Sequence, residues 1–136
     1  MDRNANDGGL FTEDIRSDPE IRRRVRTWID ALRSGLYARA TGFLRTDEGF
    51  CCLGVACDLI DPERWKRKGQ EWVYRDTNYD KVSVLQEHVQ LAYGLTDEEG
   101  NYRSKTCLAH DNDSGRSFNE IANTIEHELR RSLTTD

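Results

Sequence analysis

Phe50-Cys51-Cys52-Leu53-Gly54-Val55-Ala56-Cys57-Asp58-Leu59-Ile60 is the stretch on which the fold turns, because it is densely apolar and Asp58 is its only charge. A run of this kind is stable only out of water. It is far shorter than the roughly twenty residues a helix needs to cross a bilayer, so it belongs inside a domain, with amphipathic segments packed on its faces. Periodicity alone fits both helix and strand for a continuous apolar run. Leu53, Ala56, Cys57 and Ile60 share one helical face and Asp61-Pro62 is a natural stop, which favours a helix. Gly54 within it would weaken a helix by about 1 kcal/mol relative to Ala, and this marks it as a place where another backbone crosses.

Upstream, Ser17-Asp18-Pro19-Glu20 opens a helix, with Ser17 and Glu20 as a capping box and Pro in the first turn. Ile21, Val25, Trp28, Ile29 and Leu32 follow as one apolar stripe, and Gly35 ends the helix after Ser34. Tyr37 to Arg45 has the composition of a short strand, and Thr46-Asp47-Glu48-Gly49 is a turn back into the apolar run. Downstream, residues 61–69 are polar and basic around Trp65, with room for one helical turn, and Glu71 to Arg75 alternates as a strand before a turn at Asn78-Tyr79-Asp80. Ser83 and Gln86 read as a second capping box, ahead of a stripe of Leu85, Val89, Ala92 and Tyr93 that stops at Gly94, with Leu95 folding back on the helix end. Tyr102 to Ala109 is a candidate strand, and Asp111 to Gly115 a polar turn. Ser117 and Glu120 form a third capping box for a helix striped by Phe118, Ile121, Ala122, Ile125 and Leu129. The expected fold is α+β: a single small domain over residues 15–133, with three to four helices packed on a small, mostly antiparallel sheet. Residues 1–14 are expected to be a flexible segment from which Leu10 and Phe11 dock.

The chain of 136 residues has 33% charged residues and a net charge of -5. The charge is uneven: residues 1–68 carry 13 Lys and Arg against 12 Asp and Glu, and residues 69–136 carry 7 against 13. That balance argues against a general nucleic-acid binder, which needs a basic face to release counterions from phosphate. The start MDRNANDGGL has no apolar leader, so the four cysteines are expected to be reduced thiols of a cytosolic protein with no membrane partner.

Cys51, Cys52 and Cys57 with Cys107 and His110 could supply zinc ligands, but Cys51 and Cys52 are adjacent and apolar-flanked, unlike a zinc knuckle. Buried structural thiols are the expectation, with no cofactor. Cys107 and His110 are the only local pair suited to nucleophilic catalysis, and three residues apart on a strand or loop they need not face each other. The Asp111 segment fails as a calcium loop, because Arg116 and Ala122 stand where Gly and Glu are needed.

The blocks Trp28-x-x-Ala31-Leu32-Arg33-Ser34-Gly35-x-Tyr37, Gly42-x-Leu44-Arg45, Phe50-Cys51-Cys52-Leu53-Gly54-Val55-x-Cys57-Asp58-Leu59 and Asn112-Asp113-x-Gly115-x-Ser117-Phe118-x-x-Ile121-Ala122-x-x-Ile125-Glu126 resemble a family of small bacteriophage and prophage proteins of unknown function. The resemblance implies a phage setting in the cytoplasm of an infected bacterial host, and by analogy an accessory protein that blunts host defence.

The preferred expectation is a non-catalytic binding module for a small ligand, with a nucleotide as the candidate class and, in the phage setting that the resemblance implies, sequestration of a nucleotide-type signal as its use. Ser117 and Arg116 at a helix N-terminus would hold a phosphate. Asn112 and Asp113 would bond ribose or a base edge, and Arg39, Arg45 and a stacking Tyr37 would complete the pocket. A homo-oligomer would suit a sequestering role. The alternatives are an acidic, DNA-mimic-like inhibitor of a basic host protein, and an unrecognised small hydrolase.

Overall fold

The computed structural model describes residues 9–75, 80–103 and 106–134. In chain order they form α1 (Asp14–Ser17), α2 (Pro19–Arg33), β1 (Arg45–Thr46), β2 (Gly49–Phe50), α3 (Cys52–Ile60), a 3-10 turn (Pro62–Arg64), β3 (Trp65–Lys68), β4 (Glu71–Arg75), β5 (Asp80–Lys81), α4 (Glu87–Ala92), β6 (Asn101–Arg103), β7 (Thr106–Cys107), α5 (Leu108–Asp113) and α6 (Phe118–Thr134). This is the α+β class expected from the sequence. Among the described residues the strands form not one sheet but separate antiparallel sheets, β1-β2, β3-β4-β5 and β6-β7.

The apolar run is the helix α3, and Cys52 through Cys57 are all buried. Three aromatic side chains close on its backbone with their polar ends: Trp28 Nε1 donates to Cys52 O at 3.0 Å, Tyr93 Oη to Ala56 O at 2.9 Å and Tyr74 Oη to Cys57 O at 3.0 Å. Each thereby buries a large ring while keeping its donor satisfied. Gly54 is the close-contact position expected of it, since a β-carbon there would lie 1.8 Å from Leu44 O. Leu44 is itself fully buried and held on both sides, its N–H donating to Val82 O at 2.6 Å and its carbonyl accepting from Cys51 N–H at 3.0 Å.

The stripes of α2 and α6 are buried as their spacing predicts, except that Phe118 at the start of α6 is only partly buried, and the two helices pack together. Arg33 ties them at the surface, donating to Asn123 Oδ1 at 2.6 Å and Glu126 Oε1 at 2.9 Å. Glu128 is only 2% exposed; its Oε1 accepts Leu10 N–H at 3.1 Å and its Oε2 faces Arg131 at 3.3 Å. That contact draws the N-terminal segment in, so Leu10 and Phe11 are core residues and the folded part begins before residue 15. Residues 1–8 of the expected flexible segment lie outside the described residues.

Several local expectations are corrected. Asp18, not Ser17, caps α2: it is extended and accepts Glu20 N–H at 2.9 Å, whereas Ser17 already belongs to α1. Gln86 does not join a capping box with Ser83. It is the N-cap position of α4 itself, and its buried side chain donates to Tyr74 O at 2.9 Å instead. Tyr37 to Arg45 is not a strand, because Gly42 (φ 87°) turns the chain midway; only Arg39 bridges Phe50, in parallel, before Arg45 pairs with Phe50 in antiparallel. Trp65 to Lys68 is a strand that the polar composition of the segment hid. The strand expected over 102–109 ends at Cys107. Its Sγ accepts His110 N–H at 3.4 Å and caps α5, so Asp111, Asn112 and Asp113 stand on a helix rather than in a turn. The expected turn residues Asn78 and Tyr79 lie outside the described residues.

Candidate functional site: a cleft at Arg45 and Trp72

The residues expected to bind a ligand divide into two groups. Asn112 is fully buried: its Oδ1 accepts Cys52 N–H at 3.1 Å, filling a free donor at the start of α3, and its Nδ2 donates to Ala40 O at 2.8 Å. Arg39 donates to Asn112 O at 2.7 Å, and Asp113 Oδ1 accepts Gly42 N–H at 2.8 Å. These three residues pin the 39–44 loop to the ends of α3 and α5. Tyr37 Oη donates to Asp58 Oδ2 at 2.6 Å while Trp65 Nε1 donates to Asp58 Oδ1 at 3.0 Å, and burial together with the Asp58 carboxylate pushes the Tyr37 phenol well above its usual range. Ser117 and Glu120 make the reciprocal cap expected of them, at 2.9 and 3.1 Å. The Glu120 carboxylate thereby occupies the end of α6 where a phosphate was expected to sit. Arg116 lies 3.6 Å from Asp111 Oδ2, which also accepts the Tyr102 hydroxyl. The first group therefore binds the protein to itself.

Arg45 stands apart. The pinned loop delivers it over an aromatic cluster, with its Cζ 3.8 Å from the Trp72 ring centroid, 5.1 Å from Phe50 and 5.5 Å from Trp65. The cluster continues inward through Phe50 and Trp65 at 5.8 Å and Trp65 and Tyr74 at 4.9 Å. Beside Arg45 opens a cleft of about 260 Å³ lined by Phe43, Arg45, Thr46, Asp47, Glu48, Gln70, Glu71 and Trp72. Asp47 is committed: Arg67 grips both its oxygens and Trp72 Nε1 donates to Oδ1 at 2.9 Å. Those bonds, Arg67 first, hold the Asp47 carboxyl down at about 2. Arg45, by contrast, donates to no acceptor among the described residues. Trp72 and Phe43 were not singled out by sequence; the alternation of EWVYR placed Trp72 on a strand, but not which face it would show.

Three of the four thiols are buried. Cys52 and Cys57 are fully buried and burial raises both well above the ordinary thiol range. Cys51, 5% exposed and pushed up to about 11 by burial, borders a smaller cleft of about 140 Å³ with Phe43, Glu99 and Asp113. Cys107 is half-buried and also raised by burial, and the group that meets its sulfur is the His110 backbone N–H, not the imidazole. Among the described residues no three His, Cys, Asp or Glu side chains stand close enough together to hold a metal ion, and no helix is long and apolar enough to cross a membrane.

These features define a small α+β domain whose irregular loop is stapled across its central helix and presents a stacked arginine to a cleft. The chain belongs to the family described as Domain of unknown function (DUF8296), whose model matches residues 19–129. Comparison with curated proteins and with solved structures found no match.

Proposed function

We propose that this protein is a non-catalytic binding module that takes a small, ring-bearing ligand in the cleft beside Arg45. The observation that carries this reading is the Arg45 guanidinium, held against aromatic faces with no acceptor among the described residues bonded to its N–H groups. A guanidinium has five donors in a rigid fork. Stacking on Trp72 fixes the fork in advance, so a ligand's acceptor pair could bond it with little further ordering. Phe43, 43% exposed, and half-buried Trp72 supply ring surface beside it. The cleft volume lies just under the roughly 300 Å³ at which drug-sized sites begin, which suits one ring system better than a dinucleotide.

The nucleotide class expected from sequence is retained, with the base in place of the phosphate at the arginine. In the phage setting that the sequence resemblance implies, such a module would sequester a host nucleotide signal. The test is a thermal-shift and calorimetric screen of nucleobases, nucleosides and mono-, di- and cyclic nucleotides against wild type and Arg45→Ala. A ring ligand should stabilise the wild type and bind Arg45→Ala at least about tenfold more weakly, the scale of a bidentate arginine contact. Failure of every ring ligand to bind the wild type would retire the reading.

A further inference from the structure

We infer that the cleft selects the guanine edge among ring ligands, an inference that rests on the reading of Arg45 as the ligand's anchor. Two carboxylates line the same cleft as Arg45 and are uncommitted. Glu48 and Glu71 are exposed, and among the described residues neither side chain accepts a hydrogen bond or joins an ion pair, whereas Asp47 between them in the lining is fully engaged by Arg67 and Trp72. The cleft thus offers a fixed fork of donors at Arg45 and free acceptors at Glu48 and Glu71.

Guanine carries the complementary set. Its O6 and N7 are paired acceptors that a guanidinium meets bidentately, and its N1–H and N2 amino group are donors on the adjoining edge for a carboxylate. Adenine offers the fork a single acceptor at N7 and sets its N6 amino donor against the guanidinium donors. A site built on such bonds rejects an analogue that leaves its polar groups unmatched far more strongly than a shape-only pocket does. The aromatic surface of Trp72 and Phe43 takes the face of the ring whatever its edge. The same carboxylates repel a phosphate drawn into the cleft, so the base enters and any phosphate stays outside.

The experiment is calorimetric titration of the full chain with guanosine, guanosine monophosphate and adenosine, for wild type and for Glu48→Gln/Glu71→Gln. Both substitutions are at exposed positions, and an unchanged melting temperature without ligand confirms that the fold is kept. Guanosine is expected to bind about a hundredfold tighter than adenosine, two contacts' worth of discrimination at about tenfold each. Guanosine monophosphate is expected to bind no tighter than guanosine. In the double variant the preference should shrink about tenfold, with adenosine affinity little changed. Equal binding of adenosine and guanosine, an undiminished preference in the double variant, or much tighter binding of the phosphorylated form overturns the guanine assignment while leaving Arg45 as an anchor. No binding by any of the three, together with a blank screen of the wider panel, defeats the anchor reading as well.

Discussion

A β-carbon built on Gly54 would stand 1.8 Å from the carbonyl oxygen of Leu44, so the helix and the loop that crosses it touch backbone to backbone. Alanine at this position would gain about 1 kcal/mol of helix propensity. It would also force the Leu44 backbone away from Val82 and Cys51, an overpacking that typically costs 1–3 kcal/mol, occasionally more. The clash wins, because the obstacle is a carbonyl bonded in place rather than a flexible side chain. With the propensity gain set against it, Gly54→Ala should lose about 1–2 kcal/mol net in urea unfolding, and a variant as stable as wild type would show that the crossing is not rigid.

Asn112 is the second joint of the same loop. Asn112→Ala strips partners from the buried Cys52 N–H and Ala40 carbonyl, each worth about 1–3 kcal/mol when left unmet. The expected loss is about 3 kcal/mol, roughly 10 °C in melting temperature for a chain of this size. Asn112→Asp should be worse than alanine at neutral pH, since it places a second carboxylate oxygen against the Ala40 carbonyl in a dry site. Melting curves for the pair check the order, and an aspartate milder than the alanine would contradict it.

The Asp47 carboxyl provides a pH signature. Its folded value of about 2 lies below the ordinary 3.8, chiefly through Arg67 and then Trp72. A depressed carboxyl contributes its stabilisation fully above the ordinary value and loses it as pH falls from there through 2. The contribution is small because the side chain is exposed. Carboxyl-carbon NMR should place the Asp47 midpoint near 2 in wild type and return it toward 3.8 in Arg67→Ala. A wild-type midpoint at the ordinary value would mean the Arg67 grip is absent in solution.

Thiol chemistry reports on the core. At pH 8 a charged aromatic disulfide reagent should modify half-buried Cys107 first, and slowly, since burial raises its pKa. Cys52 and Cys57 should react only at the rate of unfolding, being fully buried and held protonated, and Cys51, at the edge of the smaller cleft, more slowly than Cys107. Rapid modification of all four in the folded protein would show that α3 is exposed.

The long elements were legible in the sequence because their signals are redundant. The stripes of α2 and α6, the Ser117 and Glu120 cap, Gly35 and Gly94 as helix ends, and Gly54 as a crossing point each read correctly from local chemistry. What escaped depends on contacts between distant residues. Asn112 and Asp113 looked like turn formers with free polar atoms, and only the fold brings Cys52, Ala40 and Gly42 to meet those atoms. Arg45 shows its charge in the sequence, but its neighbour Trp72 lies 27 positions on, in a strand whose exposed face the alternation alone does not choose. In residues 61–69 the helical turn expected there stands at Pro62–Arg64, but the strand Trp65 to Lys68 is hidden in the sequence because its exposed side chains are all charged, as suits a sheet edge.

The claim on which the rest stands is that the stacked fork of Arg45, and not merely its charge, anchors a ring-bearing ligand. Calorimetric titration of the tightest ring ligand into wild type and Arg45→Lys separates the two, because lysine keeps the charge and loses the fork. The account predicts binding to wild type and affinity at least about tenfold lower for Arg45→Lys. Equal affinities, or a wild type that binds no ring ligand, would contradict it.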